Sequence, residues 1–162
     1  MLARLRPIWP LVTLAFSGAM LAAAILYFQN ILGLAPCPLC LDQRNWHSAV
    51  LGVSLGALIL LRFKAGWSRW AVMIIGLVLL GSAAMGMYHV AVEQHWIVAQ
   101  CEVRGAGNES WSFDVNAPLE VPRCDEIAWQ MWGVSMAGWN AIASLLMALL
   151  SFAVALAPER KA

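Results

Sequence analysis

The sequence predicts an all-α membrane protein, a four-transmembrane-helix bundle with two loops on its outer side. Its 162 residues are 62% hydrophobic and 12% charged, about half the charged fraction of a typical soluble domain. The apolar residues come in four long blocks, and a helix of about 20 apolar residues crosses a bilayer. We therefore expect one integral membrane domain over residues 1–162. Basic residues do not cluster with aromatic residues, so we expect no nucleic-acid partner.

The four apolar blocks predict spans at about residues 8–28, 44–61, 70–88 and 134–157. The first block follows Arg4 and Arg6 and resembles a signal peptide, but it is long enough to span, so we expect an uncleaved helix. Gly52 and Gly56 form a G-x-x-x-G pair that predicts close helix packing in the second span. Asn140 and the serines of the fourth span are expected to hydrogen-bond between helices.

The distribution of basic residues predicts the orientation of the bundle. Four spans bring both termini and the turn at 62–69 to one side, which carries Arg4, Arg6, Arg62, Lys64, Arg69, Arg160 and Lys161. The positive-inside rule makes that side cytoplasmic. The loops at about 29–43 and 89–133 then lie outside and hold all four cysteines, which fits a compartment where disulfides persist.

The stretch at 36–44 carries the strongest chemical signal in the sequence. Cys37 and Cys40 form a C-x-x-C pair, and Pro38 suits the first position of a helix. We expect Cys37 at the N-cap and Cys40 in the first turn, where the helix dipole favours a thiolate, most of all at Cys37. Arg44 lies one turn after Cys40 on the same face. This arrangement favours redox chemistry over a zinc half-site or a structural disulfide.

The remaining cysteines, Cys101 and Cys124, lie in the large second outer loop. If joined, they close a mobile loop with an exposed and reducible bridge, whereas the simpler interpretation is an ordinary stabilising disulfide. A second dithiol on the same side of the membrane favours the redox interpretation. No haem or flavin motif is evident, so the electrons need an external acceptor, and the position of Cys37 and Cys40 at membrane depth favours a lipid-soluble one.

Taken together, these features resemble the bacterial disulfide-bond formation protein B (DsbB) family over nearly the whole chain. The resemblance rests on the four spans, the early dithiol followed by Arg44, Cys101 and Cys124 in the second outer loop, and the stretch from Cys124 to Trp139 that enters the fourth span. It implies an inner-membrane enzyme that reoxidises a periplasmic thioredoxin-fold (DsbA-like) dithiol oxidase. The electrons would pass to a membrane quinone, ubiquinone or menaquinone. The outer loops would be periplasmic.

The resemblance also implies roles for individual residues. It implies two disulfides, Cys37–Cys40 and Cys101–Cys124. Cys101 would form the mixed disulfide with the soluble partner, Cys124 would then attack Cys37, and Cys40 would be the thiolate that meets the quinone beside Arg44. His89 and Glu93, one turn apart at the outer end of the third span, either line the quinone site or form a polar cap at the water interface. No metal is expected.

Two other functions remain open from the residues. One is a reductase working in the opposite direction or a quinone reductase like the vitamin K epoxide reductase family, in which the quinone-linked pair comes late in the chain rather than early. The other is a metal-binding or structural membrane protein that uses the four cysteines as a tetrahedral site. Zinc binding and quinone reduction distinguish these functions.

Overall fold

The computed structural model describes residues 2–98 and 122–158. Within these ranges four helical segments are long and apolar enough to cross a membrane, Trp9–Ile31, Pro38–Phe63, Ala65–Glu93 and Met136–Leu156. The helices are α1 (Trp9–Ala22), α2 (Pro38–Phe63), α3 (Ser68–Glu93) and α4 (Met136–Leu156). Short 3₁₀ turns at Leu2–Leu5 and Ala65–Trp67 precede α1 and α3. The predicted all-α membrane protein with four spans is confirmed.

The first span changes its helical form near its outer end. After Ala22 the chain continues as a π-helix over Ala23–Ile31. Such wide turns are rare and occur often at functional sites. The first span therefore reaches three residues beyond the predicted end at about residue 28, in a form that hydropathy does not predict.

Side-chain caps fix where two of the helices begin. The Cys37 sulfur accepts the backbone N–H of Cys40 at 3.3 Å, so α2 begins at Pro38 with Cys37 as its N-cap, as predicted. The Ser135 hydroxyl accepts the N–H of Gly138 at 3.1 Å and caps α4. Both caps satisfy amide groups that a helix start otherwise leaves unpaired.

A small hairpin leads the chain into α4. Strands β1 (Gln130–Met131) and β2 (Val134–Ser135) pair in antiparallel register, whereas no strand was predicted in the second outer loop. The turn between them has positive φ at Trp132 (53°) and Gly133 (77°), as a type I′ hairpin requires. Strands of two residues have no detectable alternation, which explains why the sequence pattern missed them.

Helices α3 and α4 make the most extensive contact in the bundle. A Cβ placed on Gly86 would lie 2.9 Å from the backbone nitrogen of Ala141, so only glycine allows this approach. The predicted packing role of Gly52 and Gly56 is wrong, because the space beside both residues is open. The G-x-x-x-G spacing recurs by chance in apolar segments, so spacing alone did not identify the packed face.

Buried polar side chains hold the helices together, as predicted for a membrane bundle. Thr13 of α1 and Ser54 of α2 share a hydrogen bond of 2.8 Å, and the Trp9 indole donates to Ser151 of α4 at 2.8 Å. Arg6 donates to the carbonyl oxygens of Val154 and Ala157 at the end of α4. This arginine thereby satisfies carbonyl groups that the helix end leaves free.

Candidate functional site

The dithiol forms a closely coupled pair at the start of α2. The thiol of Cys37 donates a hydrogen bond to the sulfur of Cys40, with the sulfurs 2.8 Å apart. Both cysteines are free, Cys37 being buried and Cys40 half-buried. The structure therefore represents the pair as thiols, and the expected Cys37–Cys40 disulfide stays a prediction for the oxidised state.

The hydrogen bond between the two sulfurs decides which cysteine holds its proton. Donation to Cys40, together with burial, raises the pKa of the Cys37 thiol far above its ordinary value. Helix-start arguments favour Cys37 as the more acidic thiol, whereas the family resemblance assigns the thiolate to Cys40, and the donor–acceptor contact agrees with the resemblance. The dipole acts on both cysteines of the first turn, whereas the direct donor–acceptor contact distinguishes between them.

His89 is buried next to the dithiol. Its ring is 3% exposed, and its Nε2 atom lies 3.7 Å from the Cys37 sulfur. The Gln43 amide nitrogen donates to Nδ1 at 2.6 Å, so Nδ1 accepts and Nε2 carries the proton. The ring also hydrogen-bonds the backbone of Cys124. His89 thus connects α3 to the dithiol of α2 and to the second outer loop.

Glu93 is buried one turn beyond His89 and ties α3 to α4. One carboxylate oxygen lies 4.0 Å from His89 Nε2, and the other accepts a hydrogen bond from the Ser135 hydroxyl. Because Ser135 also caps α4, a single hydroxyl joins Glu93 to the start of that helix. The interpretation of His89 and Glu93 as a solvent-facing polar cap does not fit their burial.

Arg44 is held by the π-helical end of the first span. Its guanidinium donates to Gln29 Oε1 at 2.7 Å and to the carbonyl oxygen of Ala24 at 3.1 Å. Both acceptors belong to the π segment Ala23–Ile31. The charge of Arg44 acts on the Cys40 sulfur. Arg44 is therefore a fixed cation one turn below Cys40, and a guanidinium has further N–H groups, beyond those that donate to the π segment, that can reach another acceptor.

Cys124 belongs to the same buried cluster as the dithiol. It is buried and packs in one cluster with Cys37 and Val92, against which Cys40 also packs. Cys124 is disulfide-bonded, and its predicted partner Cys101 lies outside the described residues, so that pairing stays a prediction. The cluster therefore places Cys124 near Cys37 and Cys40.

An exposed ion pair flanks Cys124 on the outer surface. The Arg123 guanidinium contacts Asp125 at 2.7 Å and Glu126 at 3.3 Å. Its hydrogen bond lowers the pKa of Asp125 to about 2, so this carboxylate is ionised at neutral pH. The charge of Arg123 is therefore paired with neighbouring carboxylates, whereas the hydrogen bonds of Arg44 go to the neutral oxygens of Gln29 and Ala24.

A cavity of about 250 Å³ opens beside the dithiol, where all four spans meet. Cys40, Arg44, His89 and Glu93 line it. The rest of its wall is mostly apolar and includes Met20, Leu21, Phe28, Leu34, Trp129 and Met136. A half-open, mostly apolar cavity with a few convergent polar groups is the usual form of a small-molecule site.

Comparison with known proteins identifies the family of this chain. The sequence model of the family described as "Disulfide bond formation protein DsbB" matches residues 5–154. The chain belongs to the DsbB family. "Disulfide bond formation protein B" of Pasteurella multocida (strain Pm70) is 33% identical, over 85% of this chain and 79% of that protein. "Disulfide bond formation protein B 2" of Pseudomonas aeruginosa PAO1 is 31% identical, over 96% and 93%. No solved structure matches the chain.

The structure adds residues to this DsbB-family site that the sequence reasoning did not select. Gln29 holds Arg44, and Gln43 holds His89. His47 also lines the cavity. Gln43 and His47 follow Cys40 by three and seven residues, so helical spacing from the dithiol was a signal that could have found them. The contact of Gln29 with Arg44 depends on the π-helix, and no sequence pattern predicts a π-helix at this position.

The same atoms of this DsbB-family centre present a set of possible metal ligands. The sulfurs of Cys37 and Cys40 and a ring nitrogen of His89 lie within 4.8 Å of one another. Two thiolates and an imidazole are ligands that zinc accepts. A tetrahedral site of all four cysteines would also need Cys101, which lies outside the described residues.

Proposed function

We propose that this protein is an inner-membrane dithiol:quinone oxidoreductase. It reoxidises a periplasmic thioredoxin-fold dithiol oxidase of the DsbA type and passes the electrons to ubiquinone or menaquinone. Membership of the DsbB family supports a role in disulfide bond formation. Direct reoxidation of the partner and transfer to quinone are the specific steps that the proposal adds.

One observation carries this proposal. The Cys37 sulfur contacts Cys40 on one side and packs in a buried cluster with Cys124 on the other, while Cys40 lines an apolar cavity. Thiol–disulfide exchange needs contact between sulfur atoms; Cys37 contacts Cys40 and shares a buried cluster with Cys124, which supports exchange with both. This arrangement supports a path for reducing equivalents from Cys124 through Cys37 and Cys40 to the cavity.

The proposed exchange balances at every step. A partner thiolate attacks Cys101, forming a mixed disulfide and releasing Cys124, which attacks Cys37 and releases Cys40. The second partner thiol displaces Cys101, which then attacks Cys124, restores the loop disulfide and releases Cys37. The partner leaves oxidised, and Cys37 and Cys40 remain as a dithiol that carries its two electrons.

The residues that line the cavity suit the transfer of electrons from the dithiol to quinone. The quinone substrate takes up two electrons and two protons, and the Cys37–Cys40 disulfide forms again. Arg44 stabilises the negative charge at Cys40 and donates to a quinone oxygen, because an arginine stays protonated and its N–H groups form a rigid fork. His89, with its proton on Nε2, and the neighbouring Glu93 hold and move protons beside the dithiol.

The orientation in the membrane is part of the same proposal. The whole chain forms one multi-pass domain with both termini in the cytoplasm, supported by the positive charges on that side. The dithiol end of the bundle then faces the periplasm. The partner is a soluble periplasmic protein and the acceptor a membrane lipid, so the two substrates approach the site from water and from the bilayer respectively.

The proposal is tested by quinone reduction with purified protein in detergent. A reduced DsbA-type protein serves as the electron donor, and the loss of quinone absorbance is followed. We expect continuous reduction that requires both proteins and stops in Cys40→Ser. A wild-type protein that exchanges disulfides with the donor yet reduces neither ubiquinone nor menaquinone would overturn the assignment of the acceptor.

A second candidate function has one observation in its favour. The ligand atoms of Cys37, Cys40 and His89 converge closely enough to share a metal ion. Zinc binding to the reduced protein, with His89→Ala and Cys40→Ser as comparisons, measures this directly. A stoichiometric, tightly bound zinc ion together with no quinone reduction would favour a metal-binding protein over the oxidoreductase.

A further inference from the structure

A second polar group lies deeper in the cavity wall, away from the dithiol. His47 and Asn140 both line the cavity and both are buried. His47 follows Cys40 by seven residues on α2, which puts it about 10 Å further along the helix axis. Neither residue has a role in the sulfur relay or in the charge stabilisation by Arg44.

The hydrogen bonds of His47 fix the orientation of the Asn140 amide. The Nε2 atom of His47 lies 2.7 Å from Asn140 Oδ1. Because an amide oxygen only accepts, Nε2 carries the proton, and Nδ1 accepts from the Ser17 hydroxyl at 3.3 Å. The Ser144 hydroxyl also donates to Asn140 Oδ1, at 3.4 Å. His47 and Ser144 thus hold the amide oxygen of Asn140, and Ser17 holds His47 in turn.

The amide nitrogen of Asn140 is left without a partner. Asn140 is 5% exposed, and its Nδ2 atom is the one buried side-chain donor or acceptor without a hydrogen bond in the described part of the chain. Buried donors are nearly always paired, and an unpaired one lowers the stability of the protein. We therefore expect Asn140 Nδ2 to hydrogen-bond an acceptor that is not part of the protein. A ligand of the cavity that Asn140 lines is the natural acceptor.

We propose that Asn140 Nδ2 donates a hydrogen bond to the quinone oxygen remote from Cys40, with His47 as the positioning residue. This inference rests on the proposed quinone reduction. A quinone carries carbonyl oxygens at opposite ends of its ring, and Arg44 serves the end nearer the dithiol. The opposite oxygen needs a donor deeper in the cavity. A neutral amide meets this need without adding a charge to an apolar wall.

The test replaces His47 and Asn140 together. In His47→Leu/Asn140→Leu the buried hydroxyls of Ser17 and Ser144 each lose an acceptor, so the thermal stability of the variant is measured beside its kinetics. We expect the apparent KM for a short-chain quinone to rise about tenfold, equivalent to 1.4 kcal/mol, with little change in the rate at saturating quinone. Ser54→Ala is the matched control, because it removes a buried interhelical hydrogen bond to Thr13 and does not line the cavity.

A competing ligand with a single ring oxygen separates a lost contact from a damaged cavity. A phenol with the ring substituents of the quinone occupies the Arg44 end alone, so its inhibition constant should be the same for wild type and the double variant. Equal weakening of quinone and phenol, or an unchanged KM, would overturn the role of Asn140. Failure of the wild type to reduce quinone at all would instead refute the proposed function.

Discussion

Replacing Arg44 by alanine should slow quinone reduction by about 100- to 1000-fold. The guanidinium is fixed by Gln29 at 2.7 Å and Ala24 at 3.1 Å, so it is preorganised before charge develops on the acceptor. Losing one preorganised donor of this kind costs about 2.7–4 kcal/mol at a transition state, and each 1.36 kcal/mol is a factor of ten. The rate of Arg44→Lys should lie between those of the wild type and Arg44→Ala, because an ammonium keeps the charge but loses the forked N–H geometry of the guanidinium.

The measurement is a single-turnover reaction of the pre-reduced protein with increasing quinone, which isolates this step from exchange with the partner. Arg123→Ala is the matched control, since Arg123 also lines the cavity but is exposed and paired with Asp125. Gln29→Leu should cost less than Arg44→Ala, because it loosens the cation without removing it. Wild-type rate and KM in Arg44→Ala would mean that Arg44 is only an anchor, and the reasoning would be refuted.

Three further predictions address the reactive cysteines and the topology. In Cys124→Ser, Cys101 lacks its resolving partner and should accumulate a mixed disulfide with the soluble oxidase on non-reducing gels; an adduct in Cys101→Ser instead would mean that their roles are exchanged. In the reduced protein at neutral pH, Cys40 should be alkylated well before Cys37, whose pKa is raised; mass spectrometry showing the reverse order would contradict the sulfur geometry. A cysteine at Gly66, where the space is open, should react with an impermeant reagent only from the cytoplasm, and labelling from the periplasm would contradict the orientation.

The spans and the dithiol cap were predictable because they depend on local chemistry. Long apolar runs decide which segments can cross a membrane. Pro38 fixes the start of α2, so the cap at Cys37 and the position of Cys40 in the first turn follow from a few neighbouring residues. Arg44 was predictable for the same reason, since helical spacing brings it under Cys40.

The contacts between helices were not predictable because a nearly uniform apolar helix does not reveal which face is inward. α3 packs through Gly86 rather than through the Gly52 and Gly56 pair of α2. The bond between His47 and Asn140 joins residues 93 positions apart. Helix position alone also did not decide which thiol is the more acidic, since that depends on which sulfur donates to the other, a property of side-chain geometry.

The most direct test of the account is an anaerobic titration of electron flow. A limiting amount of reduced DsbA-type partner is mixed with catalytic amounts of the protein and excess quinone, and both partner disulfide and quinol are counted. The account predicts one quinol for each partner disulfide formed, and none when Cys40 is replaced by serine. Partner disulfide formed beyond the amount of the protein itself, without a matching amount of quinol, would contradict it.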